Sequence, residues 1–184
     1  MGSFMTTLRR ANPQDAARLG ALHVASWREA YAGLMPESLL ASLSVEARSA
    51  MWTRILADPP AFDNLAVFVA EDGGDIVGLG SCGRQRDRAL ADRGFEAEIG
   101  AIYILRSHQR GGVGRALMRE MAAALHYHGL GAVALWVLRE NAAARAFYER
   151  LGGEWLAEKE DRRENTVLLE DAYGWRGLAP LLGA

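Results

Sequence analysis

Glu98-Ile-Gly-Ala-Ile-Tyr-Ile-Leu-Arg-Ser-His-Gln-Arg-Gly-Gly-Val-Gly-Arg-Ala-Leu117 is the stretch on which the reading of this chain turns. Residues 98–105 are rich in β-branched and aromatic side chains and predict a strand. Residues 111–127 carry Val113, Leu117, Met121 and Leu125 at helical spacing and predict a helix. Between them lies a turn containing Gly111, Gly112 and Gly114. The first backbone N–H groups of a helix lack intrahelical partners, and the helix dipole adds about half a positive charge there. Glycines let an anion come close to those N–H groups, and Arg110 and Arg115 add charge beside them. The turn is therefore read as an anion site, best suited to a pyrophosphate.

Two common phosphate loops fail at specific positions. A P-loop ends in Gly-Lys-Ser/Thr, and the only lysine of this chain is Lys159. A dinucleotide fingerprint spaces its glycines G-x-G-x-x-G, whereas Gly112-Val113-Gly114 is followed by Arg115-Ala116-Leu117. The run Gln109-Arg110-Gly111-Gly112-Val113-Gly114 instead resembles motif A, Gln/Arg-x-x-Gly-x-Gly/Ala, of the GCN5-related N-acetyltransferases. Downstream, Leu135-Trp-Val-Leu-Arg-Glu-Asn141-Ala-Ala-Ala-Arg-Ala-Phe147-Tyr148-Glu-Arg-Leu151-Gly152-Gly153 resembles motif B, a strand followed by Asn-x-x-Ala-x-x-Phe-Tyr-x-x-x-Gly-Phe. Asn141 and Tyr148 are about two helical turns apart, so they share one face. Gly153 departs from the pattern, standing where the family usually has Phe. The resemblance covers roughly residues 66–175 and the N-terminal helical part only in outline.

The resemblance implies a single α/β domain over residues 7–175, with a C-terminal tail at 176–184. Its fold would be the acyl-CoA N-acyltransferase (GNAT) fold, a mixed, mostly antiparallel sheet flanked by helices. It also implies direct transfer of an acetyl group from acetyl-CoA to a primary amine. Gln109, Arg110, Gly111, Gly112, Val113, Gly114 and Arg115 would hold the pyrophosphate. The backbone at Ile102, Tyr103 and Ile104 would lie along the pantetheine arm and donate N–H groups to the developing oxyanion. Tyr148 is the candidate acid for the departing thiolate, against the plainer reading of an aromatic on a core-facing helix. Glu98 is the candidate base, acting through a water, against the reading of a solvated strand end. Asn141 is expected to cap its helix and also touch the cofactor.

His23, Trp27 and Tyr31 are spaced four apart and form a stripe on the first helix. Trp27 and Tyr31 are candidates for the acceptor pocket, by cation–π contact with an amine. The alternative places Trp27 in the core and His23 on the surface. Cys82, the one cysteine, follows a strand and is read as core; His126 and His128 are read as surface residues and His108 as solvated.

The rest of the chain supplies the frame. Residues 7–10 predict a strand, and Asn12-Pro13 opens a helix ending near Gly33. Pro36 opens a short helix, and residues 44–57 form another, from Ser44 to Asp58-Pro59-Pro60. Runs at 65–70 and 76–80 make a hairpin around Asp72-Gly73-Gly74-Asp75. Residues 84–94 read as a charged loop. Residues 133–138 predict a strand, 141–151 a helix, and 154–160 and 165–173 two further strands. The apolar segment 178–182 could pack on another surface and is the one hint of a homodimer.

The 184 residues suffice for one core, and half of them are apolar. A net charge of −2 with no clustered basic face argues against nucleic acid as a partner. No apolar run reaches the roughly 20 residues that cross a bilayer, no signal peptide is evident, and a single cysteine offers neither disulfide nor cysteine-based metal site. No metal and no membrane partner are expected, and the location is read as cytoplasmic. Two rivals remain: a non-catalytic acyl-CoA sensor or scaffold, and an acyltransferase with a longer donor. The acceptor, leaning towards a small molecule, is not identified by the sequence.

Overall fold

The computed structural model describes residues 6–163 and 166–183. Seven strands form one sheet in the order β1-β2-β3-β4-β5-β7-β6: β1 (Thr7–Arg10), β2 (Asn64–Asp72), β3 (Asp75–Arg84), β4 (Ala97–Ile104), β5 (Val133–Leu138), β6 (Glu154–Arg163) and β7 (Thr166–Trp175). Every neighbouring pair is antiparallel except β4–β5, which is parallel. The helices are α1 (Ala16–Tyr31), α2 (Glu37–Ala41), α3 (Val45–Ala57), α4 (Arg88–Ala91), α5 (Val113–Tyr127), α6 (Ala142–Arg150) and α7 (Ala179–Leu182).

Strand β2 shows why the sheet carries helices on both faces. Val67 and Val69 point to one side, among Leu19 and Leu22 of α1 and Trp52 of α3. Ala66, Phe68 and Ala70 point to the other, among Leu117, Met121 and Leu125 of α5. Alternate residues face alternate sides, and both sides are covered, so the strand reads as one apolar run.

Side-chain caps start the helices where the sequence predicts them. Asn12 and Asp15 form a capping box before α1. Ser44 Oγ accepts from Ala47 N–H at 3.1 Å before α3. Asp15 is almost fully buried, held by two bonds from Arg9, at 2.7 and 2.9 Å. These bonds keep its carboxyl below the usual carboxylate range despite burial.

Four local expectations are corrected. The hairpin strand β3 runs on to Arg84, and the charged loop holds a one-turn helix, α4, capped by Asp87 Oδ1 on Leu90 N–H at 3.2 Å and anchored by buried Leu90. His23 is no surface residue: it is 5% exposed, stacked on Tyr103 at 4.6 Å between centroids and near Trp27 and Trp52. His108 is half-buried, its Nε2 3.1 Å from Asp72 Oδ2, rather than solvated. Residues 178–182 pack on their own chain. Leu178 and Leu181 are buried in the main core, so their apolarity calls for no second subunit and the tail is part of the fold. Residue 165, the expected start of the last strand, lies outside the described residues.

Cys82 is buried as expected, and burial pushes its thiol up to about 12. His126 and His128 are exposed.

Candidate active site

Strands β4 and β5 are joined only at Ala97–Val133 and Glu98–Ala134. Beyond these pairs they diverge. The backbone of β4 from residue 99 onward is hydrogen-bonded to β3 on one side and faces an opening on the other. A bulge at Gly100, where Ser81 opposes Ala101 and Cys82 opposes Ile99, bends β4 where the divergence begins. The opening is a cleft of about 1360 Å³ whose walls come from α1, β4, β5, α6 and β7.

One end of the cleft reaches the N-terminus of α5. Gly112 takes the N-cap position with φ +88°, a backbone conformation that a side chain would strain. A Cβ there would meet nothing within 4 Å, so the space above the turn is open. Gly114 is glycine for a different reason: a Cβ would sit 3.1 Å from Phe147 and 3.2 Å from Ile104. Arg110 has φ +62°, uncommon for a residue with a side chain.

Gln109, Arg110, Gly112, Gly114 and Arg115 line the cleft. Two residues of the predicted anion loop do not: Gly111 is absent from the lining, and the Val113 side chain is buried in the core, which leaves only its backbone N–H for an anion. The Gln109 amide turns back to donate to Ile104 O at 3.0 Å and so ties the turn to the end of β4.

A clamp not expected from the sequence holds the approach to this turn. Glu29 of α1 accepts from Arg106 N–H at 2.7 Å, and the Arg106 guanidinium donates to Glu29 O at 2.6 Å. His108 adds its contact with Asp72 at the β2–β3 turn.

Ile102, Tyr103 and Ile104 form the β4 wall, and Asn141, Phe147 and Tyr148 stand on the α6 side. Asn141 Oδ1 accepts from Ala144 N–H at 3.1 Å, capping α6 as expected. Tyr31 of α1 lines the same cleft as Asn141. Tyr148 is 6% exposed, its ring against Phe147, Tyr173 and Trp175. Burial above all, then the neighbouring phenols of Tyr31 and Tyr103, raises its hydroxyl far above the ordinary phenol value. Tyr148 is thus protonated at neutral pH.

Trp27 and Tyr31 line the cleft from α1, with their rings edge to face at 5.1 Å. Trp27 Nε1 is buried with no hydrogen-bond partner, although it lies close enough to Tyr103 to favour ionisation of that phenol. His23 sits behind this wall with neither ring nitrogen hydrogen-bonded, and burial, with the Arg48 charge, pushes it down to about 4.

Glu98 lies where the strands part. Arg86 forms an ion pair with Oε1, and the Arg86 backbone N–H donates to Oε2 at 3.2 Å. Both oxygens are therefore engaged by a residue of the charged loop. Among the described residues, no group of three or more His, Cys, Asp or Glu is placed to hold a metal ion, and no helix is long and apolar enough to cross a membrane.

Residues 24–153 match the model of the acetyltransferase (GNAT) family. The chain belongs to that family. As a GNAT acyltransferase it is 33% identical over 179 residues to the uncharacterized N-acetyltransferase YuaI of Bacillus subtilis (strain 168), a match covering 96% of each chain. Solved GNAT folds align over nearly the whole molecule. The PaiA N-acetyltransferase of Thermoplasma acidophilum, in complex with coenzyme A, has a TM-score of 0.68 at 17% identity, covering 90% of this chain and 97% of PaiA. YncA of Salmonella typhimurium, with its cofactor acetyl-CoA, has a TM-score of 0.66 at 17% identity, covering 92% of both chains. The expected fold, one α/β domain with a mixed sheet flanked by helices, is the fold observed.

Proposed function

We propose that this acetyltransferase carries an acetyl group from acetyl-CoA directly to the primary amine of a small-molecule acceptor. The observation that carries the reading is the divergence of β4 from β5, which opens a cleft between the N-terminus of α5 and the Tyr148 hydroxyl. Related folds that hold coenzyme A and acetyl-CoA support the choice of donor.

In this reading the free N–H groups after Gly112, with Arg110 and Arg115, hold the pyrophosphate. The unpaired edge of β4 at Ile102, Tyr103 and Ile104 lies along the pantetheine arm, and its N–H groups meet the charge that develops on the carbonyl oxygen. Acetyl-CoA supplies the activated thioester. The amine nitrogen attacks its carbonyl carbon and the C–S bond breaks; the Tyr148 hydroxyl gives its proton to the sulfur and regains one from the nitrogen as the amide forms. Tyr148 is protonated and so able to donate, but burial makes its phenol a weaker acid than a free one, so the role rests on its place in the cleft and not on its acidity. The amine must first lose a proton. Glu98 is assigned as the base, through a water, and must release one Arg86 contact to accept it. Asn141 holds the start of α6 and lines the cleft beside the proposed cofactor path. Trp27 and Tyr31 present aromatic faces to the acceptor. A cytoplasmic setting goes with acetyl-CoA as donor.

Calorimetric titration with acetyl-CoA, followed by thiol release over a panel of amines, tests the proposal. Micromolar binding with release on some amines is expected. Binding without release would point to a sensor, and no binding would overturn the assignment of residues 109–115.

A further inference from the structure

We propose that Glu170 receives the acceptor's ammonium, and that the acceptor is a primary amine on an apolar body with no acidic group of its own. This rests on the transferase reading above and concerns the end of the cleft away from α5.

Glu170 lies on β7, opposite Leu138 of β5 and Lys159 of β6, and lines the cleft with Lys159 and Trp136. The only lysine of the chain thus places its ammonium against this wall. Lys159 Nζ is 4.0 Å from the Trp136 ring centroid, 3.4 Å from Asp87 Oδ2 and 3.6 Å from Glu170 Oε2. An aromatic face with carboxylates beside it is what a primary ammonium seeks. Lys159 keeps two of its three contacts, Trp136 and Asp87, if Glu170 turns to a second cation. Asp87 is itself fixed by the Trp136 indole N–H at 3.1 Å.

The charges at this end do not suit an acidic acceptor. Among the described residues, the lining cations here are Arg86, committed to Glu98, and Lys159, committed to Asp87 and Glu170. An acceptor carboxylate would find both cations taken and face Glu98 and Glu170. Among the described residues Glu170 has one ion pair, with Lys159 at 3.6 Å, and is the looser of the two carboxylates. Met35, Leu138, Leu168, Trp27 and Tyr31 add apolar and aromatic surface beside it, with Ser26 and Gln85 as uncharged polar neighbours in the lining.

Glu170 shares the cleft with Tyr31 of α1, Tyr103 of β4 and Tyr148 of α6, all of which line it.

The test compares 2-phenylethylamine with phenylalanine, which differ by one carboxylate. Thiol release from acetyl-CoA is measured for the wild type, Glu170→Gln and Lys159→Gln, with acetyl-CoA binding followed by calorimetry for each. The expected result is a kcat/KM at least tenfold higher for the amine than for the amino acid. Glu170→Gln should raise the amine KM at least tenfold, leave acetyl-CoA affinity within twofold, and shrink the preference for the amine. Lys159→Gln, which frees Glu170 of its one competing cation here, should lower the amine KM.

Equal or better use of phenylalanine would overturn the proposal, as would no release on either compound by protein that binds acetyl-CoA. A tenfold rise in amine KM in Lys159→Gln alone would assign the ammonium site to other groups. Failure of the wild type to bind acetyl-CoA would be a different failure, that of the transferase reading itself.

Discussion

Replacing Gly153 by alanine adds one methyl group at the position where this chain departs from its family's usual Phe. A Cβ there would lie 2.7 Å from Trp175 Cζ2, 3.1 Å from Trp175 Cε2 and 3.0 Å from Tyr148 O. The indole cannot move aside. Trp175 is 2% exposed, its Nε1–H donates to Leu151 O at 2.8 Å, and its backbone is paired opposite Val133 in the sheet. Nor can the Tyr148 carbonyl, which accepts from Gly153 N–H at 2.9 Å to close the end of α6. Overpacking of a rigid core costs about 1–3 kcal/mol. Alanine recovers roughly 0.4–1 kcal/mol by restricting the unfolded chain. The net expectation is a loss of about 1–2 kcal/mol, read as a fall in Tm of about 2–8 °C for a domain of this size. The assay is thermal unfolding of Gly153→Ala alone and with Trp175→Leu. The second change removes the colliding ring, so the alanine should become neutral or stabilising in that background. A Tm for Gly153→Ala within about 1 °C of wild type would show that the Trp175 indole can give way after all.

Three further outcomes are expected. Tyr148→Phe should lower kcat by about a hundredfold or more with the acetyl-CoA KM little changed; a loss below about threefold would remove the acid role. Gly112→Ala should lose about 1–2 kcal/mol, from left-handed backbone alone since its Cβ meets nothing, and weaken acetyl-CoA binding in calorimetry; unchanged Tm and affinity would count against the anion turn. His23 is kept neutral by burial, down to about 4, whereas in the unfolded chain it takes a proton near 6.5. Protons therefore favour unfolding between those values, and stability should fall by at most about 3 kcal/mol as pH drops from 6.5 to about 4. Urea unfolding at pH 7 and 4.5 should show this loss in the wild type and a smaller one in His23→Phe; equal losses would place the proton elsewhere.

The glycine turn and the strands around it were legible because their signals are local. The compact apolar run of β2, helical spacing in α5 and the caps at Asn12, Ser44 and Asn141 each act within a few residues. The sequence leaves the place of His23 open between a pocket stripe and the surface because its burial comes from elsewhere: Trp52 lies on α3 and Tyr103 on β4, and no pattern within α1 shows either. The clamp of Glu29 on Arg106 joins groups 77 residues apart and has no local trace. Helix α4 had a signal, Asp87 three residues before Leu90, but one turn is too short to stand out from a charged loop. At 178–182 the apolar residues were seen and their destination was not, since a core and an interface ask for the same side chains.

The least legible feature is also the one on which the chemistry depends. Nothing in the composition of β4 or β5 says that they pair over two residues and then part. The cause lies around them. The Gly100 bulge bends β4, while Leu138 at the far end of β5 packs with Met35, Leu40 and Leu168, and Trp27 and Tyr31 of α1 pack against that cluster. Closing the cleft would require these contacts to break, so the strand edge is held open before any ligand arrives. An edge of this kind is a liability in a sheet that has nothing to pair with it. Here it lies inside the molecule, covered by α1 and α6, where a second chain cannot reach it but an extended ligand arm can. The same arrangement places the anion turn beyond the C-terminal end of that edge and Glu170 across the cleft on β7, opposite Leu138, so that, as proposed, the donor lies along β4 and the acceptor is held from the β7 side.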